Sequence, residues 1–405
     1  MKLYRETDFQ ETEIGKVPKD WEVVRLGKIL NLKNGQRPKT SETGKIPIYG
    51  ANGIMGYTNE FLVDNDFTII IGRVGASGEI HLGQGKIWIS DNAIYSENYE
   101  KSAIYPLFAY YLLKSKELSH FASKTTHPII TQTFLNHFPI QLPPLPEQQK
   151  IAEILSTVDE AIQKTDEIIA KTERLKKALM NELLTGRIRV REENGKLTFY
   201  TETEFQETEI GKIPKDWEVV KLDNKELAEI IMGQSPQSST YNREGKGLPF
   251  LQGKMEFGDV YPSPIMYCSQ PIKIAEPNDI LISVRAPVGD VNVAPYKLCI
   301  GRGLAAIRFN LSRASHWFYF YYFQKIKNFL ENLGKGSTFK AITKEDLENL
   351  KVPYPSLFEQ QRIADTLSTV NRTIELYYKE KDVFKNLKMG LMDLLLTGKI
   401  RVKVN

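Results

Sequence analysis

Two stretches of the chain carry apolar residues in a four-three rhythm. From Glu147 to Leu184 the seam runs Ile151, Leu155, Val158, Ile162, Ile169, Leu179 and Leu183. Thr165, Thr172 and Lys176 interrupt it, with Leu175 beside it. A second seam runs Ile363, Leu367, Val370, Ile374, Tyr377, Phe384, Leu391 and Leu395, broken by Lys381 and Lys388. A 3.5-residue repeat sustained over about five heptads predicts a coiled coil. Pro143, Pro144 and Pro146 precede the first helix, as Pro353 and Pro355 precede the second, and block backward extension. Gly186 and Gly398 fit the C-terminal stops. At a rise of 1.5 Å per residue, about 38 residues span roughly 57 Å. The helices match in length, so each is the simplest partner for the other. A pseudo-two-fold relation between the halves makes that pairing antiparallel; the alternative is that each helix packs on its own domain.

The rest of the chain reads as short strands joined by Gly, Asn and Pro turns, followed by helices. Phe67 to Gly83 and Asp279 to Ala294 each predict a hairpin around a glycine turn, with Arg73 and Arg285 at the end of an apolar run. Ser102 to Ala122 and Arg313 to Leu333 predict aromatic-rich helices whose rings recur at helical spacing, a core pattern rather than a base-stacking one. Thr343 with Asp346 predicts a capping box opening a short last helix.

The chain repeats itself. Tyr4 to Leu26 recurs as Tyr200 to Leu222, changed only at Arg5/Thr201, Asp8/Glu204, Val17/Ile213 and Arg25/Lys221. EQQKIAEILSTV from Glu147 recurs as EQQRIADTLSTV from Glu359, and the match runs ungapped to LLTGRIRV, ending at Val190, and LLTGKIRV, ending at Val402. Between these frames the middles, Gly27 to Gln141 and Asp223 to Val352, diverge in length and sequence. Duplication with drift spares nothing in particular, whereas two modules of one fold reading two different targets keep the frame and change the middle.

Composition narrows the chemistry. A net charge of +4 over 405 residues permits nucleic-acid binding without requiring it. Cys268 and Cys299 are isolated, which predicts no disulfide framework and no zinc site, and suits a reducing cytoplasm. There is no apolar run long enough for a membrane span and no secretory h-region at the start. The histidines, His81, His120, His127, His137 and His316, lack ligand spacing. Neither a GxxxxGK[ST] loop, a GxSxG elbow nor an Asn/Asp-Pro-Pro-aromatic tetrapeptide occurs, and Gly72, Gly75 and Gly78 sit inside a hairpin rather than before a helix. These absences favour a reader or scaffold over an enzyme.

The ordered double set of motifs resembles the specificity subunit of type I restriction–modification systems. It comprises Gly15–Trp21 and Gly211–Trp217, then LPPLPEQQKIAEIL and YPSLFEQQRIADTL, then the LLTGxIRV ends, over essentially the whole chain. The second copy departs at Phe358, where the first has Pro146, and at Tyr354, where the first has Leu142. The resemblance implies an α+β chain: two mixed α/β target-recognition domains and two long helices forming an antiparallel coiled coil, with a pseudo-two-fold internal repeat. It implies boundaries at 1–141 for the first reader, 142–190 for the first spacer helix, 191–353 for a linker and the second reader, and 354–405 for the second spacer helix. It further implies a non-catalytic reader of a bipartite, asymmetric double-stranded DNA site. Helices set the gap and dock two methyltransferase subunits, which carry S-adenosylmethionine. Restriction subunits using ATP and Mg join that core, and this chain itself holds no cofactor and no metal. A coiled-coil assembly scaffold and a degenerate stand-alone methyltransferase or nuclease are the competing readings.

Base contacts need Arg, Lys, Asn or Gln on exposed loops, and phosphate contacts need cations, hydroxyls or amides. In the first module the candidates are Lys33, Asn34, Gln36, Arg37, Lys39, Thr40, Arg73, Lys124, Thr126 and His127. In the second they are Gln234, Ser235, Gln237, Ser238, Tyr241, Asn242, Arg243, Lys246, Lys254, Arg285, Lys335, Ser337, Thr338 and Lys340. Solvated polar loops, and paired structural arginines for Arg73 and Arg285, are the alternatives.

Overall fold

A computed structural model describes residues 2–38, 40–123, 128–333 and 341–403. The chain divides into two units, one of residues 1–167 with 378–405 and one of residues 168–377. Each unit therefore takes part of both long helices, Leu145–Leu183 and Leu357–Leu396.

In the first unit, Asp159 takes an ion pair from Lys388 at 2.5 Å and Asp166 one from Lys381. A seven-residue step forward on one helix thus meets a seven-residue step back on the other, the signature of antiparallel pairing. In the second unit Lys176 donates to Asn371 at 2.6 Å in the same sense. The seam residues point inward along both helices, while Leu175 is exposed. The lysines that interrupt the apolar rhythm reach across to polar partners, so they are interhelical contacts rather than defects in the seam.

Both helices end where glycine is needed. Gly186 and Gly398 hold φ of +69° and +71°, which L side chains resist. A Cβ on Gly186 would lie 2.4 Å from the Pro214 ring, and one on Gly398 2.4 Å from the Pro18 ring. The end of each helix thus packs against the opening motif of the opposite repeat copy.

An arginine fixes the same crossing. After the second helix, Ile400–Lys403 pairs antiparallel with Lys2–Arg5, and Arg401 turns inward. Its guanidinium donates to Glu147 at 2.7 and 2.8 Å, to Asp20 at 2.8 and 2.7 Å and to Glu6 at 2.7 Å. Trp21, 5.3 Å beneath it, gives its indole N–H to the same Glu147. The second unit repeats every contact: Arg189 holds Glu359, Asp216 and Glu202, and Trp217 donates to Glu359. Burial opposes the charge on each arginine, yet the facing carboxylates hold both guanidinium pKa values above the ordinary one. The motifs that repeat in sequence are thus the parts that assemble one buried ion cluster per unit.

The first middle is built on one sheet and the second on two, each with an aromatic helix packed against it. In the first unit the strands lie in the order Leu30–Asn34, Ala93–Tyr99, Val63–Gly72, Ile80–Ile89, Ile46–Gly50, Gly53–Thr58. In the second, Ala228–Met232, Leu304–Phe309, Ile280–Ser283 and Val291–Val293 form one sheet. A second sheet there is built around Leu248–Leu251 and Leu298–Ile300, which pair parallel, as Ile46–Gly50 and Ile80–Ile89 do in the first unit. The predicted hairpins form at these places. The predicted aromatic helices break in two, into Pro106–Ser115 with a 3-10 turn Leu118–Phe121, and into His316–Lys325 with Lys327–Leu333, and Phe318 to Phe323 are all buried. Thr343 and Asp346 close the capping box.

Candidate nucleic-acid interface

Three loops meet at one end of the first sheet. The strand Leu30–Asn34 runs into Gly35–Pro38, where the Gly35 amide donates to Ala93 and the Gln36 amide to Ile89, both at 2.9 Å. The approach leaves no room for a side chain: a Cβ on Gly35 would sit 2.0 Å from the Ser90 carbonyl oxygen. The Trp88 indole donates to the Gln36 carbonyl at 2.9 Å and holds the loop from the other side. The amide of Arg73 donates to the Asn92 carbonyl at 2.8 Å, and the Ile130 amide to the Arg73 carbonyl at 3.0 Å. Segments 35–38, 73–77 and 90–92 therefore form a rim, with 128–130 alongside.

The second unit builds the same rim from different residues. Gly233 donates to Leu304 at 2.9 Å and Gln234 to Ile300 at 3.0 Å. A Cβ on Gly233 would meet the Gly301 carbonyl oxygen at 2.2 Å. Val284 donates to Gly303, and Ile342 to Val284, both at 2.9 Å. These bonds align the two modules residue by residue. Gly35–Gln36–Arg37–Pro38 lies on Gly233–Gln234–Ser235–Pro236, so the two candidate loops are one structural feature written twice.

The same alignment separates Arg73 from Arg285. Arg73 corresponds to Val284, which is buried, and Arg285 to Val74. The offset of one residue turns the side chains to opposite sides of the chain. Arg285 is exposed and Arg73 half-buried.

The other candidates divide by surroundings. Gln36, Arg37, Gln234 and Arg285 stand exposed on the rim. Thr40, Gln237, Ser238 and Arg243 are exposed on the adjoining loops. Among the described residues, Arg37, Arg73, Arg243 and Arg285 have no ion pair. Lys33 lies 3.6 Å from Glu97, and Asn34 donates to Gln132 at 2.8 Å. Ser235 accepts the Arg302 amide at 3.2 Å. Tyr241 donates to the Pro236 carbonyl at 2.8 Å and stacks on Phe250, so it supports the loop from beneath. Asn242 accepts from the amides of Glu244 and Lys246, and the Lys246 ammonium lies 2.6 Å from Glu244. Lys254 is half-buried and ion-paired with Asp290, which also takes Lys327 at 2.5 Å. Burial opposes the Asp290 charge, but the two ammonium groups hold its carboxyl below the usual range. Lys39, Lys124, Thr126, His127, Lys335, Ser337, Thr338 and Lys340 lie outside the described residues.

Two rim residues, Asp91 and Arg302, were not legible as candidates. Their equivalence follows only from hydrogen bonds between strands distant in sequence. Among the described residues no three His, Cys, Asp or Glu side chains group to hold a metal, and no helix is long and apolar enough to cross a membrane.

Residues 18–174 and 214–385 each match the profile of the type I restriction modification DNA specificity domain. The putative type I restriction enzyme MjaX specificity subunit of Methanocaldococcus jannaschii is 42% identical over 432 residues, covering 100% of this chain and 99% of the relative. The crystal structure of the HsdS subunit from Thermoanaerobacter tengcongensis is 28% identical with a TM-score of 0.50, covering 96% of this chain and 100% of that one. The type I restriction–modification S subunit from M. genitalium has a TM-score of 0.63 at 16% identity, over 95% of this chain and 97% of that one, and so shares the fold.

Proposed function

The chain belongs to the type I restriction–modification DNA specificity family, and from that premise we propose that each unit reads one half of a bipartite, asymmetric double-stranded DNA site. The observation that carries the reading is the rim built twice: the same glycine-locked, glutamine-bearing loop stands at the same sheet end in both units, on middles that otherwise diverge. A shared fold with different exposed side chains is what two readers of unlike half-sites require. Arg37, Arg73, Arg243 and Arg285, without carboxylate partners among the described residues, suit phosphates or base edges. Among the described residues, Gln36 and Gln234 hold the one exposed side chain common to both rims, and glutamine pairs bidentately with adenine N6 and N7. An adenine in each half-site fits that repetition.

In the same reading the two long helices set the gap between half-sites and dock two methyltransferase subunits. Those subunits supply S-adenosylmethionine and the chemistry, and restriction subunits with ATP and Mg complete the complex. The specificity chain contributes recognition and not catalysis. Linking two weak readers through one rigid spacer raises the local concentration of the second site once the first is bound.

The test is a methylome. The chain is co-expressed with its cognate methyltransferase in a host lacking modification, and N6-methyladenine is mapped by single-molecule sequencing, with and without the chain. The expected result is a chain-dependent, two-part, asymmetric motif. Modification that persists without the chain, or a single short palindrome, overturns the two-reader assignment.

A further inference from the structure

We infer that the rim position held by Asp91 in the first unit and Arg302 in the second is specificity-determining, Asp91 accepting from cytosine N4 and Arg302 donating to guanine. The inference rests on the two-reader assignment above. Equivalence of the two positions comes from the backbone. Ser90 donates to Tyr49 and Gly301 to Leu251, both at 2.8 Å, across matching parallel strand pairs. Two residues beyond Asp91 and Arg302, Ala93 donates back to Ser90 and Leu304 back to Gly301, both at 3.0 Å. Each position is thus the outer corner of the same tight turn.

The turns are rigid and their flanks are spent. Ser90, Ala93, Gly301 and Leu304 are buried. The Asn92 amide is held by the Ser90 hydroxyl at 3.3 Å, and the Arg302 amide by Ser235 of the glutamine loop at 3.2 Å. Asp91 and Arg302 are exposed, and among the described residues neither has an ion pair. Arg302 is followed by Gly303, so it is the only side chain its turn presents outward.

Charge decides what each can contact. A carboxylate on a DNA-facing rim is repelled by phosphates, so it is suited to a base that offers amino hydrogens. Cytosine N4 is the donor that Asp accepts from in the major groove, whereas a guanidinium matches guanine O6 and N7 in a bidentate pair. Opposite charges at one backbone position therefore read opposite edges of a G·C pair, and the rest of the rim need not move.

The experiment is the methylome assay with Asp91→Asn, Arg302→Gln and Arg302→Lys in the full chain. A duplex-binding competition on the purified complex with the methyltransferase runs beside it. Wild type without a two-part motif would remove the two-reader assignment and this inference with it. With that motif present, Arg302→Gln is expected to relax one G·C position of one half-site, lowering discrimination there by about tenfold to a hundredfold. Arg302→Lys should retain part of the guanine preference, and Asp91→Asn should move the other half-site toward adenine at one position. An unchanged motif, or binding lost equally for all base choices, overturns the inference and leaves the two-reader assignment standing. Where a variant gives no modification, the competition supplies the same reading: a position-specific change supports, a uniform loss overturns.

Discussion

Arg401 is the residue on which the first unit closes. Its side chain is 5% exposed, and it neutralises Glu147, which is 4% exposed. Removing one partner of a buried pair leaves the other charge uncompensated, a loss of about 3–5 kcal/mol. Arg401→Met is therefore expected to lower unfolding stability by about that amount in urea titrations, and adding Glu147→Gln should recover part of it. A loss below about 1 kcal/mol would count against the cluster as a closing element. The cluster also sets an acid limit. Hydrogen bonds from backbone amides of Asp8 and Thr7, and from Arg401, hold the Glu6 carboxyl below its ordinary pKa; the Arg401 hydrogen bond does the same for Asp20. Glu202 and Asp216 are depressed in the same way. A depressed folded-state pKa gives stability that is present above the ordinary carboxylate range and is lost as pH falls through the folded value. Wild type should lose melting temperature steeply below about pH 4, and Arg401→Met should show a shallower fall.

Among the elements, the two helices were the most legible, because a seam of this length has few other uses. What the pattern left open was the meaning of its interruptions. Lys388 and Lys381 look like breaks until the antiparallel partner is known; then they face Asp159 and Asp166. Asp159 does more than pair. It accepts the Tyr111 hydroxyl at 2.7 Å, and the Lys388 ammonium lies 5.3 Å from that ring. Burial, then the carboxylate, pushes the Tyr111 phenol well above its ordinary pKa. Asp159→Ala strips a partner from a buried hydroxyl and from a lysine that is 15% exposed, and is expected to cost about 2–3 kcal/mol. Asp159→Asn keeps an acceptor for Tyr111 and should cost less. Equal losses in thermal or urea unfolding would show that the tyrosine contact contributes nothing. The strands of the middles were legible as strands, but not their order. Sheet order rests on pairings such as Gly35 with Ala93, which no local spacing encodes. For that reason the glutamine loops were found as candidates while Asp91 and Arg302 were not.

Across the whole molecule, the frame explains how the middles diverge without unfolding it. Each middle leaves and re-enters through a two-stranded stem. Glu22–Arg25 pairs with Pro139–Leu142, and Glu218–Lys221 pairs with Lys351–Tyr354. The stem holds both ends one strand spacing apart, about 4.8 Å, whatever lies between. The frame then grips the middle largely through its backbone. The side-chain oxygen of Gln360, wholly buried, accepts the Ser315 amide at the start of the aromatic helix at 2.9 Å. Gln148 does the same for the Tyr105 amide, also at 2.9 Å. Tyr319 donates to the Pro353 carbonyl, a contact in the opposite sense that draws on a side chain of the middle. A graft that leaves the stem whole, replacing residues 223–350 with the matching middle of another family member, should fold with the frame intact. It should rewrite the second half of the methylated motif and leave the first half and the gap unchanged. If both halves change, recognition is not divided between the middles. If the graft fails to fold while a chain carrying only Gln360→Ala folds, the frame depends on side chains of its own middle, and the stem alone does not account for the divergence.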